Sequence, residues 1–403
     1  MMAEENMGGV TPGTDSFDAG SFQTFSITGV EALTFRYMSH VGRDDEGHAH
    51  PAPAHEARRT ITRVRTSIGL DGYCVGGSPE TAGVASRMIA GQNPLDREAI
   101  WHKLLQAQRL ERRALDDRNL AAIDCALWDF AGRLTGLPVS KLLGGARDRV
   151  PAYASTMCGD DIPGGLDSPE AYADFAAACQ TLGYPAFKLH TWMAPFGPDL
   201  ERDIAACRAV RERVGRDMRL MLDPHHHYTR EEARYLGRAL EELGYYWMEE
   251  PMNEHSTSSY VWLTEQLDLP IVGPETAHGQ MYTRAEWILR GASDISRVGV
   301  WDVGGITPAI KTVHLCEAFQ IRCEVHGGGA ANLQLLGAMG IPGEYYERGL
   351  LHPHVDFDAE SPWLREPIDT IDREGFVRIP QRPGLGEDLD WDFIRDNTVS
   401  DWA

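Results

Sequence analysis

Three apolar runs that each end on a carboxylate constrain this chain more than any other feature. They are Met221-Leu-Asp223, Trp247-Met-Glu249 and Ile271-Val-Gly-Pro-Glu275, and the acids recur at a constant step of 26 residues. Such a step holds one strand, one helix and their loops, because a crossover between parallel strands takes about a dozen residues or more. The spacing predicts three acids at equivalent heights on three successive parallel strands. Three converging carboxylates repel one another unless a cation lies between them. Oxygen-only ligation suits Mg²⁺, a hard ion that keeps positions open for substrate oxygens. The competing reading is three acids that merely cap strands near solvent.

The pattern around these runs extends the prediction. After Arg149, strand-like segments at 150–155, 186–190, 295–301, 322–326 and 345–350 join the three acid-ended runs, and helical segments separate nearly all of them. Eight such units predict an α/β fold, a (β/α)8 barrel at 150–354 whose reacting groups stand at the carboxyl ends of the strands. Ahead of it, strands at 25–37 and 60–73 followed by helical periodicity over 84–136 predict an α+β domain. Between those strands, residues 38–56 are polar, punctuated by Gly and Pro, and carry His40, His48 and His50. That composition suits a lid or binding loop, whose histidines are either solvated or metal-holding. Residues 1–22 read as a flexible tail, and 380–403 as a segment that packs back on the first domain.

A chain of 403 residues with 42% hydrophobic content can bury a large core. Its net charge of −22 argues against nucleic acid, which demands a basic face. An anionic substrate is not excluded, because a metal and a few cations reverse the potential inside a cleft. The seven cysteines lack CxxC spacing and read as free thiols in a reducing compartment. No apolar run reaches membrane length and no signal-peptide pattern opens the chain, so a soluble cytoplasmic protein is expected.

Several residues carry potential chemistry. Lys188 and His190 alternate with Leu189 and so point to one face of their strand. Lys188 could bind a carboxylate oxygen, and His190 could take a proton; exposed strand-end charges are the alternative. His225 lies on the Asp223 side if extended geometry persists past Pro224, and could protonate a leaving hydroxyl. His226 and His227 read as solvated or supporting. His326 ends a strand before Gly327-Gly-Gly329, glycines that let the backbone approach a ligand; a satisfied core histidine is the alternative. Glu347 either shares a proton with a developing oxyanion or pairs near Arg348. Glu250 should face away from Glu249 and is assigned to structure.

With these residues in place, the chain resembles the enolase superfamily, in particular its mandelate racemase-like branch of acid-sugar dehydratases. The resemblance spans about residues 25–403 and rests on the three spaced acids, Met248-Glu249-Glu250-Pro251, Gly304-Gly305-Ile306-Thr307, the segment from Ala122 to Asp129 that leads to Leu137-Pro138 and Gly144-Gly145, and Pro383-Gly-Leu-Gly386. It implies a modified (β/α)7β barrel closed by an α+β capping domain built from 23–149 and 355–403. It implies Asp223, Glu249 and Glu275 as Mg²⁺ ligands, Lys188 against the substrate carboxylate, and His190 in place of a second lysine that serves as a base. His326 and Glu347 match the family's histidine and acid on the last two strands, and Asp223-x-His225 is similar to dehydratases in which that histidine releases hydroxide. The implied activity is dehydration of an aldonic or aldaric acid to a 2-keto-3-deoxy acid. The alternatives are racemisation or epimerisation through the same enediolate, and ligand binding without turnover. A homo-oligomer is implied as well. One position departs from the family: Gly299 stands where an aspartate normally supports the histidine. Strand parity turns Asp302 away, Trp301 walls the pocket, and His326 is expected to be the weaker base beside His190.

Overall fold

The computed structural model describes residues 25–44, 47–111, 114–193, 196–340 and 344–402. The expected tail at 1–22, and Asp45 and Glu46 of the expected lid, lie outside the described residues. Two sheets organise the molecule. The first is antiparallel, in the order β13-β1-β2-β3, from β1 (Ile27–Arg43), β2 (Ala49–Thr66), β3 (Gly72–Val75) and the C-terminal β13 (Thr398–Ser400). The expected irregular lid over 38–56 is largely paired backbone instead, since the β1–β2 ladder continues to Arg43↔Ala49 past a register shift between Ser39 and Val41. A hairpin that projects beyond its domain needs no apolar face, so its polar composition concealed the strands.

The second sheet is parallel. It runs through β4 (Arg149–Thr156), β5 (Ala186–His190), β6 (Arg219–Asp223), β7 (Trp247–Glu249), β8 (Ile271–Val272), β9 (Ile295–Val298) and β10 (Arg322–Val325), while β11 (Tyr346–Leu351) returns to pair with β4. Seven helices separate these eight strands, from Pro169–Thr181 to Ala330–Ala338, which is the modified (β/α)7β barrel. A short β12 (Phe376–Arg378) adds to β4 in antiparallel sense. Local signals set these elements: Ser168 caps the helix opened by Pro169 by accepting the Ala171 amide, and Gly244 ends helix Arg230–Leu243 in a left-handed conformation.

The barrel interior shows why the chemistry lies where it does. Tyr153, Ala186, Met221, Trp247, Ile295 and Tyr345 form a closed apolar layer. Two residues further along the chain from each stand Ser155, Lys188, Asp223, Glu249, Arg297 and Glu347. A period of two keeps these on the same inward face, so an apolar plug is followed, toward the carboxyl ends, by a polar layer.

Helix Asp117–Thr135 fastens the cap to the barrel. Asp124 accepts the Thr307 amide at 2.9 Å and its hydroxyl at 2.6 Å, at the start of helix Ile306–Phe319. Gly305 permits that approach, because a Cβ there would lie 2.3 Å from the Asp124 carboxylate. Trp101 and Trp128 donate to Gly304 O and Thr307 Oγ1. Asp129 accepts the amides of Tyr73 and Leu385, both at 2.9 Å, and so ties β3 to the C-terminal segment.

Candidate active site

At the mouth of the barrel the polar layer forms one ionic lattice. Lys188 Nζ lies 3.2 Å from Asp223, 2.8 Å from Glu249 and 2.9 Å from Glu347. Arg297, buried on β9, contacts Glu249, lies 3.4 Å from Glu275 and 2.8 Å from Glu347. Ser155 Oγ and the Gly327 amide also donate to Glu347. Four carboxylates therefore share two permanent cations in a region nearly closed to solvent. Burial alone would raise Asp223 and Glu347, but His190 and Lys188 hold Asp223 well below its usual range, and Lys188 and Arg297 do the same for Glu347. Glu249 behaves in the opposite way. Its burial outweighs both cations, and with Asp223 and Glu275 beside it the carboxyl is pushed up to about 8. The lattice carries more negative charge than its own cations neutralise. The excess is two charges only once Glu249 ionises, and an all-oxygen set of that kind suits a divalent hard cation, with Asp223, Glu249 and Glu275 as the residues that could hold it.

Equal spacing did not place these acids at equal height. The β6–β7 register pairs Leu222 with Met248, which puts Asp223 level with Glu249. Glu249, however, pairs with Val272 on β8, so Glu275 stands three residues past the ladder. It is positioned by Glu254, whose buried carboxylate accepts the amides of Glu275, Thr276 and Ala277 at 2.6, 2.7 and 2.9 Å. A strand count cannot register that a loop, rather than a strand, presents the third acid.

Histidines approach the lattice from several elements. His190 Nε2 is 2.9 Å from Asp223 Oδ2 across the β5–β6 pair. His326, at the end of β10, lies 3.1 Å from Glu275 through Nε2 and 2.5 Å from Asp302 through Nδ1. The expectation that Asp302 turns away is therefore corrected. Strand β9 ends at Val298 and the chain turns at once, with Asp302 N bonded to Gly299 O, so strand parity no longer applies. Gly299 is the space this requires, since a Cβ there would sit 2.0 Å from Asp302 Oδ2. Burial disfavours the charged imidazole, yet Asp302 and Glu275 raise His326 to about 10. His326 thus has the carboxylate partner that Gly299 was expected to deny it.

His225 is brought to the site by a turn rather than by parity, because both His225 and His226 have positive φ. The His225 amide donates to Asp223, while its ring Nδ1 lies 3.1 Å from Glu250; His226 Nδ1 lies 3.3 Å from the other oxygen of the same carboxylate. Glu250 thus meets these histidines and not Lys188 or Arg297. Burial, and repulsion from Glu275 and Asp223, hold it well above the carboxylate range, while burial and nearby His226 and His48 pull His225 down to about 3. These shifts favour a protonated Glu250 and a neutral His225. His48, on the capping hairpin, packs against His225 with ring centroids 4.2 Å apart. Among the described residues, two side-chain groups have ligand-capable atoms all within 4.8 Å of one another, and the three acids are not one of them: His48, His50 and Cys158, and His225, His226 and Glu250. Arg297 and Glu254 escaped the sequence reading. An arginine between Ser296 and Val298 in an apolar strand was the available signal for the first, and nothing local marks the second.

Comparison with known proteins is consistent with this geometry. Residues 171–393 match the family profile described as enolase C-terminal domain-like, and residues 49–144 that of the mandelate racemase / muconate lactonizing enzyme N-terminal domain. D-galactarolactone cycloisomerase of Agrobacterium fabrum is 33% identical over 345 residues, covering 82% of this chain and 88% of its own. Arabinonate dehydratase of Saccharolobus solfataricus is 31% identical over 353 residues, with the same coverage of 82% and 88%. The solved structure of D-glucarate dehydratase from Agrobacterium tumefaciens complexed with magnesium superposes with a TM-score of 0.89 at 50% identity, covering 93% of this chain and 99% of that one. Among the described residues no helix is long and apolar enough to cross a membrane.

Proposed function

Because the chain belongs to the enolase superfamily, in its mandelate racemase-like branch, we propose that it is a hydro-lyase that dehydrates a carboxylic acid sugar, aldonic or aldaric, to a 2-keto-3-deoxy acid. The observation that carries this reading is the over-charged acid lattice with proton carriers on either side: His326 with Asp302, and His225 with Glu250. The sugar-acid dehydratases among its relatives support the reaction class.

Asp223, Glu249 and Glu275 would hold Mg²⁺, which when bound supplies positive charge to the substrate carboxylate and acidifies the adjacent C–H. Lys188 donates to the same carboxylate and stabilises the negative charge that develops as the α-proton leaves. His326 Nε2 takes that proton while Asp302 holds Nδ1 and the resulting charge. Glu275 is one of the two acids that hold the imidazole protonated. Once its oxygens are engaged elsewhere, Asp302 remains the partner and His326 returns toward the range of a base at neutral pH. His225, resupplied by Glu250, protonates the departing hydroxyl so that water leaves. Glu347 keeps Lys188 and Arg297 in place. The cap, from residues 25–149 and 355–402, closes over chemistry carried by 150–354.

A second reading uses His190 and His326 on different strands for proton removal and return, giving racemisation or epimerisation; their separate contacts to Asp223 and Glu275 favour it as the runner-up. Binding without turnover loses its motive, since Gly299 makes room for a partner of His326. Incubation with an acid-sugar library and Mg²⁺, followed by a ketone assay, is expected to give product. Exchange of the α-hydrogen with solvent deuterium, without ketone, selects the runner-up instead. Neither signal across aldonic and aldaric acids removes both.

A further inference from the structure

The crevice on the His326 side of the site has a charge that the rest of the protein does not predict. A cavity of about 560 Å³ opens there between cap and barrel, and its wall includes Arg59, Arg118, Trp301, Asp302 and His326. In a chain of net charge −22, neither Arg59 nor Arg118 has a carboxylate within salt-bridge distance among the described residues. The acids nearby are engaged. Asp302 is bonded to His326 and feels Arg118 only at longer range, Asp116 accepts the Asn119 amide, and Asp117 accepts from Gln108 and Gln280. Arg59 is oriented on β2 by Trp363, 5.4 Å from the ring centroid. Arg118 sits in the first turn of helix Asp117–Thr135, where a cation is disfavoured by the helix dipole. Arg43 lines the adjoining cavity of about 410 Å³, which shares Arg59 and Trp301 with the first. Burial depresses the Arg43 guanidinium, and repulsion from Arg118 and Arg59 depresses it further against the opposing pull of Asp44, which places Arg43 within range of both arginines.

We propose that Arg59 and Arg118 form a subsite for a second carboxylate, so that the substrate is a dicarboxylate of the aldaric type, one end on Lys188 and the acid lattice and the other past His326 on the arginines. The assignment rests on the dehydratase reading of the lattice. It adds a specificity that reading leaves open, since an aldonic acid ends in a hydroxymethyl group that cannot neutralise two guanidinium ions. Arginine suits a planar carboxylate through paired N–H donors. A charge-assisted contact of this kind corresponds to roughly 10- to 100-fold in affinity.

The test is equilibrium binding, with Mg²⁺ present, of acid pairs that differ only at the distal carbon: glucarate against gluconate, galactarate against galactonate, mannarate against mannonate. At least one diacid is expected to bind about 10- to 100-fold more tightly than its monoacid. Arg59→Gln and Arg118→Gln are each expected to erode that preference and the double variant to remove it. Arg36→Gln, on the same hairpin and paired with Glu56, leaves it intact. Equal affinities within every pair, no measurable binding of any diacid, or a preference that survives the double substitution overturns the subsite. Ketone formation, read in parallel, separates the two claims. An arginine-dependent preference without product supports the subsite and removes the dehydratase reading, whereas product from both members of a pair at equal rates does the reverse.

Discussion

His326 answers to two carboxylates, and separating their effects tests the site at the scale of single residues. Asp302→Asn removes the charge that holds Nδ1 and leaves the ring in place. We expect kcat to fall by roughly 10²-fold or more, the usual range for a compromised general base, with a smaller change in KM. The same pair gives a pH signature. His326 is raised from its ordinary 6.5 to about 10, so the folded state binds this proton more tightly than the unfolded chain does. The stability it contributes is fully present below pH 6.5 and is lost as pH rises through about 10. In metal-free protein, the difference in Tm between wild type and Asp302→Asn should be large near pH 6 and vanish near pH 10; a difference that does not vary with pH contradicts the pairing. Gly299→Asp, which restores the usual family residue at this position, is expected to impair rather than improve turnover. Its Cβ would meet the Asp302 carboxylate at 2.0 Å.

At the scale of elements, the loop after β8 depends on a single buried anion. Glu254 binds three successive amides and thereby aims Glu275. Glu254→Gln keeps the size of the side chain but removes the charge, and its amide nitrogen cannot accept. Supporting groups of this kind typically contribute 10- to 100-fold to metal affinity. Mg²⁺ titration should show a loss of that order, with Tm lowered even in the absence of metal. An unchanged Mg²⁺ affinity would place the loop under other control. Helix Asp117–Thr135 offers the parallel case between cap and barrel. Asp124→Ala leaves a buried Thr307 amide and hydroxyl without their acceptor, at about 1–3 kcal/mol for each unsatisfied group. Thermal unfolding should reveal it, whatever happens to activity.

For the whole molecule, the surplus charge of the lattice predicts that ion binding and folding are coupled. A ligand that binds only the folded state at 100 times its Kd stabilises by about 2.7 kcal/mol. Mg²⁺ at that excess should raise Tm accordingly, and chelation should reverse the shift. Glu249→Gln should abolish the response while leaving the metal-free protein folded, because it removes a carboxyl that burial and its neighbours already hold near neutrality at about 8. If Mg²⁺ leaves Tm unchanged at millimolar concentration, the lattice is a structural salt-bridge network and the proposed chemistry has no electrophile.

What the chain determines by itself is periodic. Alternation by two places Lys188 with His190, and Asp223 above Met221, on inward faces. The recurrence of strand and helix predicts the barrel, and the acid-ended runs name three of the four carboxylates in the lattice. These features are legible because strand geometry is regular and each depends only on neighbours a few residues away. The structure decided what happens after each strand stops. Asp302 reaches His326 because the chain turns at Gly299, Glu275 rises on amides bound by Glu254, and Glu250 meets His225 because two residues adopt positive φ. Arg297 gains its meaning only when β7, the loop after β8 and β11 bring three acids to it. Turns and long-range ion pairs have no period to read, since each is set by the packing of segments far apart in the chain.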